Sequence, residues 1–325
     1  MKRVTVKVGT RGSALALAQT GLLLRSLEAV HPEVNFVVVP IKTAGDRIKT
    51  AAALRRAGKG LFVKEIERAL LAKKVSLAIH SMKDLPSEMP KGLVLGAVPM
   101  REDPRDVFIG RSSTPIDELP PGSRIATSSL RRQAILKSLY PSYEFVEIKG
   151  NLDTRLAKLR APGSPLAGII VAASGVRRLY PDGGIPVQPL PADRVVPAAG
   201  QGVLALQIRE GDAAMKALLA PIHQPATAAC IEAERELQRL LEGGCQVPLG
   251  CYAEASSDGA LTLRACIGTV DGRRVVRASR SGRADRPREL AAAVEAELVA
   301  GGAREILDGL APARAPRKKK SRPRR

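Results

Sequence analysis

Between residues 4 and 172 the chain alternates short apolar runs with amphipathic ones, and this alternation limits the fold more than any other feature. The pattern reads as strands at 4–8, 36–41 and 77–80 separated by helices at 13–30 and 64–72, with a first unit closing near Val98. A polar stretch, Met100-Arg101-Glu102-Asp103-Pro104-Arg105-Asp106, then breaks the rhythm like a hinge. The same scheme resumes with strands at 124–127, 144–148 and 168–172 and helices at 130–139 and 152–159. Alternation of this kind builds α/β units in which helices cover a sheet. A later apolar strand, 203–208, follows Pro197-Ala198-Ala199-Gly200-Gln201-Gly202 and is expected to cross back into the first unit. The last third reads as a small α+β unit with a short antiparallel sheet. It has a helix at 226–242, strands at 261–268 and 273–281 joined by the hairpin pair Asp271-Gly272, and a closing helix at 287–310.

At 325 residues the chain exceeds what one core usually supports, and 45% hydrophobic residues suffice for several. No tryptophan and only 2% aromatic residues argue against stacking platforms for bases, so specific nucleic-acid binding is not expected. The N-terminus opens directly on a strand pattern and no apolar run reaches membrane-spanning length, so a cytoplasmic protein without membrane association is expected. Of the formal charge of +20, eight positive charges lie in residues 311–325, a Pro-, Ala- and Arg-rich tail expected to be disordered, which leaves +12 on the body.

Cysteine usage points to one loop. Cys230, Cys245, Cys251 and Cys266 are spaced by 15, 6 and 15 residues, without a C-x-x-C pair, and His31, His80 and His223 are scattered, so neither a disulfide framework nor a metal site is expected. Cys245 differs from the other three. It sits in Glu242-Gly243-Gly244-Cys245-Gln246-Val247-Pro248-Leu249-Gly250, where the glycine pair and Pro248 prevent a helix from running through. A thiol presented on such a loop can be a nucleophile, a ligand, a disulfide partner or an attachment point.

Arginines gather at strand-to-helix junctions. Val8-Gly9-Thr10-Arg11-Gly12-Ser13 opens a helix through small residues, and Ala126-Thr127-Ser128-Ser129-Leu130-Arg131-Arg132-Gln133 places two arginines just inside another. Exposed amides at a helix start favour an anion, whereas cations there oppose the macrodipole by roughly some tenths of a kcal/mol each. Arginines kept in that position imply an anion that they face. Lys149-Gly150-Asn151-Leu152-Asp153-Thr154-Arg155 and the pair Arg177 and Arg178 add further cations near strand ends, where α/β sheets bind ligands. One acid stands against this background: Asp84, in Ala78-Ile79-His80-Ser81-Met82-Lys83-Asp84-Leu85-Pro86, is suited to stabilising positive charge or accepting ring N–H groups.

Taken together, GTRGSALALAQT, GKGLFVKEIE, HSMKDLP, REDPRDVF, TSSLRRQ, KGNLDTRLAKL, PAAGQG and GGCQVPLG, in this order and spacing, resemble the porphobilinogen deaminase (hydroxymethylbilane synthase) family over nearly the whole chain. The resemblance implies a transferase of tetrapyrrole biosynthesis that joins four porphobilinogen molecules on a covalent dipyrromethane primer, one per chain, losing ammonia at each step and releasing hydroxymethylbilane. It implies a thioether from Cys245 to that cofactor and a catalytic role for Asp84. Lys83, Ser81, Thr127, Ser129, Arg131, Arg132 and Arg155 would hold the cofactor; Arg11, Ser13, Gln19, Lys149, Arg155, Arg178 and Gln201 would bind substrate; no metal is implied. Lys149 stands where the family usually has arginine, which keeps the charge and loses the two-pronged contact. The resemblance also implies a monomer of three domains, the first two like periplasmic-binding-protein lobes: 1–99 with 199–219, 104–195, and 223–310 carrying the cofactor loop. A non-enzymatic binder of polycarboxylates and a nucleic-acid-binding protein are the competing readings of the basic charge.

Overall fold

In the computed structural model, which describes residues 4–48, 60–241 and 247–310, the chain forms three sheets. The first grows from β1 (Val4–Arg11), where Val6 and Val8 are buried. Ser13 then caps α1 (Ala14–Val30), its hydroxyl accepting the Ala16 N–H and so satisfying a donor that the helix leaves open. Leu23, Leu24 and Leu27 turn one face of α1 into the core. The helix stops at His31-Pro32, because a residue preceding proline disfavours helical backbone. β2 (Val34–Ile41) lies parallel to β1. After α2 (Ala44–Arg47) and α3 (Lys64–Leu71), β3 (Leu77–Ser81) joins the other side of β1, also parallel, and passes into a short 3-10 turn, Met82–Asp84. β4 (Leu93–Ala97) is the last strand before the chain leaves this sheet.

The second sheet opens with β5 (Asp106–Gly110) and continues through β6 (Arg124–Ala126), α4 (Leu130–Leu139), β7 (Glu144–Val146), α5 (Leu152–Arg160), β8 (Gly168–Ala172), α6 (Ala173–Leu179) and β9 (Gln188–Pro189). β10 (Leu204–Arg209) then returns to the first sheet and pairs antiparallel with both β3 and β4. The orders are β2-β1-β3-β10-β4 and β7-β6-β8-β5-β9, so each sheet has three parallel strands followed by an antiparallel one supplied from beside a crossing. α7 (Ala213–Leu219) packs Met215 and Leu219 into the first core.

α8 (Pro225–Leu240) leads to the third sheet, β11 (Leu249–Ala255), β12 (Ala260–Gly268) and β13 (Val275–Arg283), all antiparallel. The closing helix expected at 287–310 is instead two, α9 (Pro287–Ala300) and α10 (Ala303–Leu310). Gly301 caps the first, and Gly302, with φ of +93°, takes left-handed backbone that breaks the run. β11 escaped the sequence pattern because Leu249, Cys251 and Ala253 bury only small or medium side chains between a glycine and polar residues. Cys245 and residues 311–325 lie outside the described residues.

The first two sheets are joined by crossings at 98–105 and 190–203, and these touch: the Glu102 N–H donates to the Gly202 carbonyl at 3.1 Å. Both are also tied to the third sheet by one carboxylate. Glu234 on α8, fully buried, accepts both close contacts of Arg101 Nη2 (2.7 and 2.8 Å), the Gly200 N–H (2.6 Å) and the Ala253 N–H of β11 (2.8 Å). Gly200 has φ of +73°, and a Cβ there would lie 2.5 Å from Met82 Cγ and 3.1 Å from the Lys83 nitrogen. Only glycine fits this approach of the crossing to the 3-10 turn. Gly200→Ala is therefore expected to lower stability by about 2 kcal/mol or more, from left-handed strain and overpacking together. Urea unfolding checks this, and a wild-type midpoint would contradict it.

Candidate active site

Asp106, the first residue of β5, is fully buried where the second crossing meets α4. Its Oδ2 lies 2.8 Å from Arg131 Nη2, and its Oδ1 accepts Arg132 Nη2 at 2.7 Å and Gln201 Nε2 at 2.8 Å. Burial alone would raise this carboxyl, but the Arg131 and Arg132 charges and the hydrogen bonds outweigh it and hold Asp106 well below the usual carboxylate range. The two arginines, 4% and 6% exposed, are turned inward. Arg131 Nη1 donates to the Val196 carbonyl at 2.7 Å and Arg132 Nη1 to the Ile170 carbonyl at 3.0 Å, so their outer nitrogens are largely committed to the protein. The Nε atoms of both remain buried without a protein acceptor.

Gln201 carries this cluster across to the first sheet. Its Nε2 also reaches the Pro104 carbonyl at 2.7 Å, while its Oε1 accepts Lys83 Nζ at 3.3 Å. With its amide held by three protein groups, Gln201 acts in this arrangement as a bridge between Lys83 and Asp106. Burial first, then the Arg132 charge, bring the Lys83 ammonium down to about 8, against the pull of Asp84 and Asp106. Asp84 thus lies within electrostatic reach of the cluster, at the end of the 3-10 turn that follows β3. Ser81, one turn earlier, donates to Gln19 Oε1 on α1 at 3.1 Å.

Of the remaining predicted residues, Arg155 and Arg178 are tied toward this centre, and the contacts of Arg11, Ser13 and Lys149 lie elsewhere. Arg155 Nε donates to the Gly150 carbonyl at 2.9 Å, and burial, followed by repulsion from Arg132, lowers its pKa to about 10. Arg178 Nη2 donates to the Gly202 carbonyl at 2.6 Å and is likewise shifted down by burial. Ser129 caps α4 by accepting the Arg132 N–H, and buried Thr127 accepts the Ser129 N–H at 3.3 Å. Lys149 is half-buried beside Gly150, its carbonyl receiving Lys158 Nζ at 3.0 Å. Ser13 is engaged in capping α1. Arg11 pairs with Asp46 and lies 4.3 Å from the centroid of the Phe62 ring. Gly45 makes room for that ring, since a Cβ there would fall 2.3 Å from it. Arg11 Nε, too, is buried without a protein acceptor.

Sequence reasoning overlooked Asp106, Asp46 and Phe62. Asp106 stood in plain view as the carboxylate opening the apolar run Val107-Phe108-Ile109, and a charge that begins a buried strand needs a cationic partner. Among the described residues no group of three or more His, Cys, Asp or Glu is placed to hold a metal ion, and Cys230, Cys251 and Cys266 are buried thiols.

One carboxylate, Asp106, faces two buried arginines, Arg131 and Arg132, which leaves a buried surplus of positive charge suited to a carboxylate of a ligand. Among the described residues Asp106 is the one carboxylate paired with both arginines, and Asp106→Asn is expected to destabilise the protein by about 3–5 kcal/mol at neutral pH. Because the folded carboxyl lies below its unfolded value of about 4, its contribution is present above that pH and lost as pH falls below it. Urea unfolding from pH 7 to 3 should show wild-type stability falling faster than that of the variant; parallel curves would contradict the assignment.

The family model described as "Porphobilinogen deaminase, dipyromethane cofactor binding domain" matches residues 6–217, and "Porphobilinogen deaminase, C-terminal domain" matches residues 228–300. The chain is 45% identical over 303 residues to the porphobilinogen deaminase of Syntrophobacter fumaroxidans, covering 93% of this chain and 97% of that one. It is 44% identical over 308 residues to that of Gloeobacter violaceus (94% and 93%), and 42% identical over 306 residues to that of Thiobacillus denitrificans (94% and 99%). Among solved structures it is similar to a probable amino-acid ABC transporter extracellular-binding protein from Bacillus subtilis, with a TM-score of 0.41 and 13% identity over 72% of this chain and 96% of that one, too distant a likeness to add to the fold described above. With two domain models matched end to end and relatives above 40% identity along nearly the full length, the chain belongs to the porphobilinogen deaminase family.

Proposed function

We propose that this chain condenses four porphobilinogen molecules on a dipyrromethane held through Cys245 and releases hydroxymethylbilane, and that Asp84 is its catalytic carboxylate. The observation that carries this reading is the buried cationic surplus around Asp106 within electrostatic reach of Asp84. A dipyrromethane with acetate and propionate side chains fits it. The buried Nε atoms of Arg11, Arg131 and Arg132 lack protein acceptors, and the surplus charge calls for carboxylates. Lys83, Arg131, Arg132 and Arg155, with the hydroxyls of Ser81, Thr127 and Ser129, would hold the cofactor, and Arg11, Ser13, Gln19, Lys149 and Arg178 the incoming pyrrole. Gln201, held by Pro104, Asp106 and Lys83, serves by fixing Lys83 against Asp106.

When bound, the cofactor would supply the free pyrrole carbon at which the chain of added units begins. The chain's own residues do the rest. As the C–N bond of the protonated aminomethyl group of porphobilinogen breaks and ammonia leaves with the bonding pair, the positive charge passes to the pyrrole and its methylene carbon, until that carbon bonds the free pyrrole carbon of the growing chain and the latter carbon gives up its proton. Asp84 opposes that charge and accepts pyrrole N–H groups, while the arginines fix the carboxylates and so the ring positions. Each added unit brings two carboxylates, which suits a cleft lined by Arg11, Lys149, Arg155 and Arg178 as well as the central cluster.

We further assign 1–99 with 199–219, 104–195 and 223–310 as three domains, each built on one sheet, in a cytoplasmic monomer. Support for a protein acting without membrane or nucleic acid comes from two facts. No described helix is long and apolar enough to cross a membrane. The arginines of the third sheet and its helices are engaged within the fold, as in Arg264–Glu254, Arg280–Glu297, Arg288–Glu232 and Arg304–Glu295.

Intact-mass spectrometry with a porphobilinogen assay tests the reading. The wild-type chain should be heavier than its sequence by one dipyrromethane, and Cys245→Ser should lose that mass and activity together. Asp84→Asn should keep the mass while kcat falls by about 10²–10³. Unmodified protein that consumes porphobilinogen, or near-normal turnover by Asp84→Asn, would refute it.

A further inference from the structure

The turn that carries Asp84 is gripped from outside its own sheet. α8 presents Ile231 and Arg235, four residues apart and so on one face of the helix, to the segment around Asp84. Ile231 packs in one buried cluster with Met82 and Leu85, the residues that flank Lys83 and Asp84. Arg235 Nη2 donates to the carbonyls of Pro86 at 2.7 Å and Ser87 at 2.9 Å, and its Nη1 lies 3.9 Å from Met82 Sδ. Carbonyl acceptors, which carry no charge, hold a guanidinium that burial shifts downward. A cation spent in this way, beside a third-sheet helix rich in carboxylates (Glu232, Glu234 and Glu236), is placed for geometry. From Arg235 the helix continues to Leu240 and the chain runs on to Cys245, ten residues beyond.

We propose that Arg235 is a positioning residue for catalysis: by holding the Pro86 and Ser87 carbonyls it fixes the Asp84 turn relative to the unit that carries Cys245. This rests on the deaminase reading. Arg235 touches no reacting atom; it acts through the backbone on which Asp84 is mounted, and its two bonds set the register between the turn that carries Asp84 and α8. Small displacements of a reacting group carry large rate costs.

The test compares the cofactor-bearing wild type with Arg235→Gln and Arg235→Lys by kinetics, intact mass and hydrogen exchange. Arg235→Gln should retain the cofactor mass and keep KM within about twofold, while kcat falls about tenfold. Amides of residues 82–88 should exchange faster and those of β12 should be unchanged. Arg235→Lys, which keeps the charge and reaches one carbonyl, should recover part of the lost kcat. Wild-type kcat in a folded, cofactor-bearing Gln variant would overturn the proposal. So would a Gln variant that folds but lacks the cofactor mass, since Arg235 would then serve attachment. Should the Gln variant fail to fold, the Lys variant decides: about a threefold deficit with faster exchange at 82–88 supports the proposal, and wild-type values in both overturn it. Wild-type protein that carries no added mass and leaves porphobilinogen unchanged would sink the deaminase reading, and the exchange comparison would still show whether Arg235 holds the turn.

Discussion

Everything in this cleft depends on one buried charge. Asp106 has no solvent to share its charge with, so it draws in Arg131, Arg132 and Gln201 and remains ionised among them. Those contacts cross from the second sheet to the first, because Gln201 in turn holds Lys83. One anion between two arginines leaves positive charge over. Under the proposed function a ligand with several carboxylates offsets it, at the N-terminus of α4 where the helix dipole opposes a pair of arginines.

The third sheet has a larger mechanical part than a carrier for the cysteine loop would need. Glu234 gathers Arg101, Gly200 and Ala253, so both crossings are anchored to one side chain on α8. The β12–β13 turn bears on α4 from the other side: Lys137 Nζ donates to the Val270 carbonyl at 3.0 Å, and a Cβ on Gly272 would lie 2.5 Å from Lys137 Cβ. Thus the helix that carries Arg131 and Arg132 and the turn that carries Asp84 are both braced by the unit that follows them in sequence. That arrangement suits chemistry in which a tethered chain must meet a fixed carboxylate while its own side chains are held by fixed cations.

Many strands and helices of the first two sheets were legible from hydrophobic periodicity, because they bury a regular set of side chains, as in Val6 and Val8 of β1 and Leu23, Leu24 and Leu27 of α1, whereas β4, β5, β9 and α6 were missed. Periodicity lost the closing helix at Gly301-Gly302, where two glycines interrupt an otherwise continuous pattern, and it lost β11, whose buried face is made of small residues. Of the site, the cations could be picked out from their junction positions in the sequence. Their partners could not. Asp46 meets Arg11 across 35 residues, Asp106 meets Arg132 across 26 and Gln201 meets Asp106 across 95, and no local rule connects residues so far apart. Gln201, expected among the substrate binders, also has partners far away in the chain, Pro104, Asp106 and Lys83.

The central claim is that the cluster around Asp106 is a cationic receptor completed by a polycarboxylate. Lys83 reports on this directly, since its ammonium feels both the arginines and any bound carboxylate. Its titration can be followed by nitrogen-15 NMR in lysine-labelled protein, assigned with Lys83→Arg, in Cys245→Ser and in the cofactor-bearing wild type. Lys83 should titrate at about 8 in Cys245→Ser and at least about one unit higher in the wild type, where ligand carboxylates offset the arginines. The same value in both proteins would contradict the account.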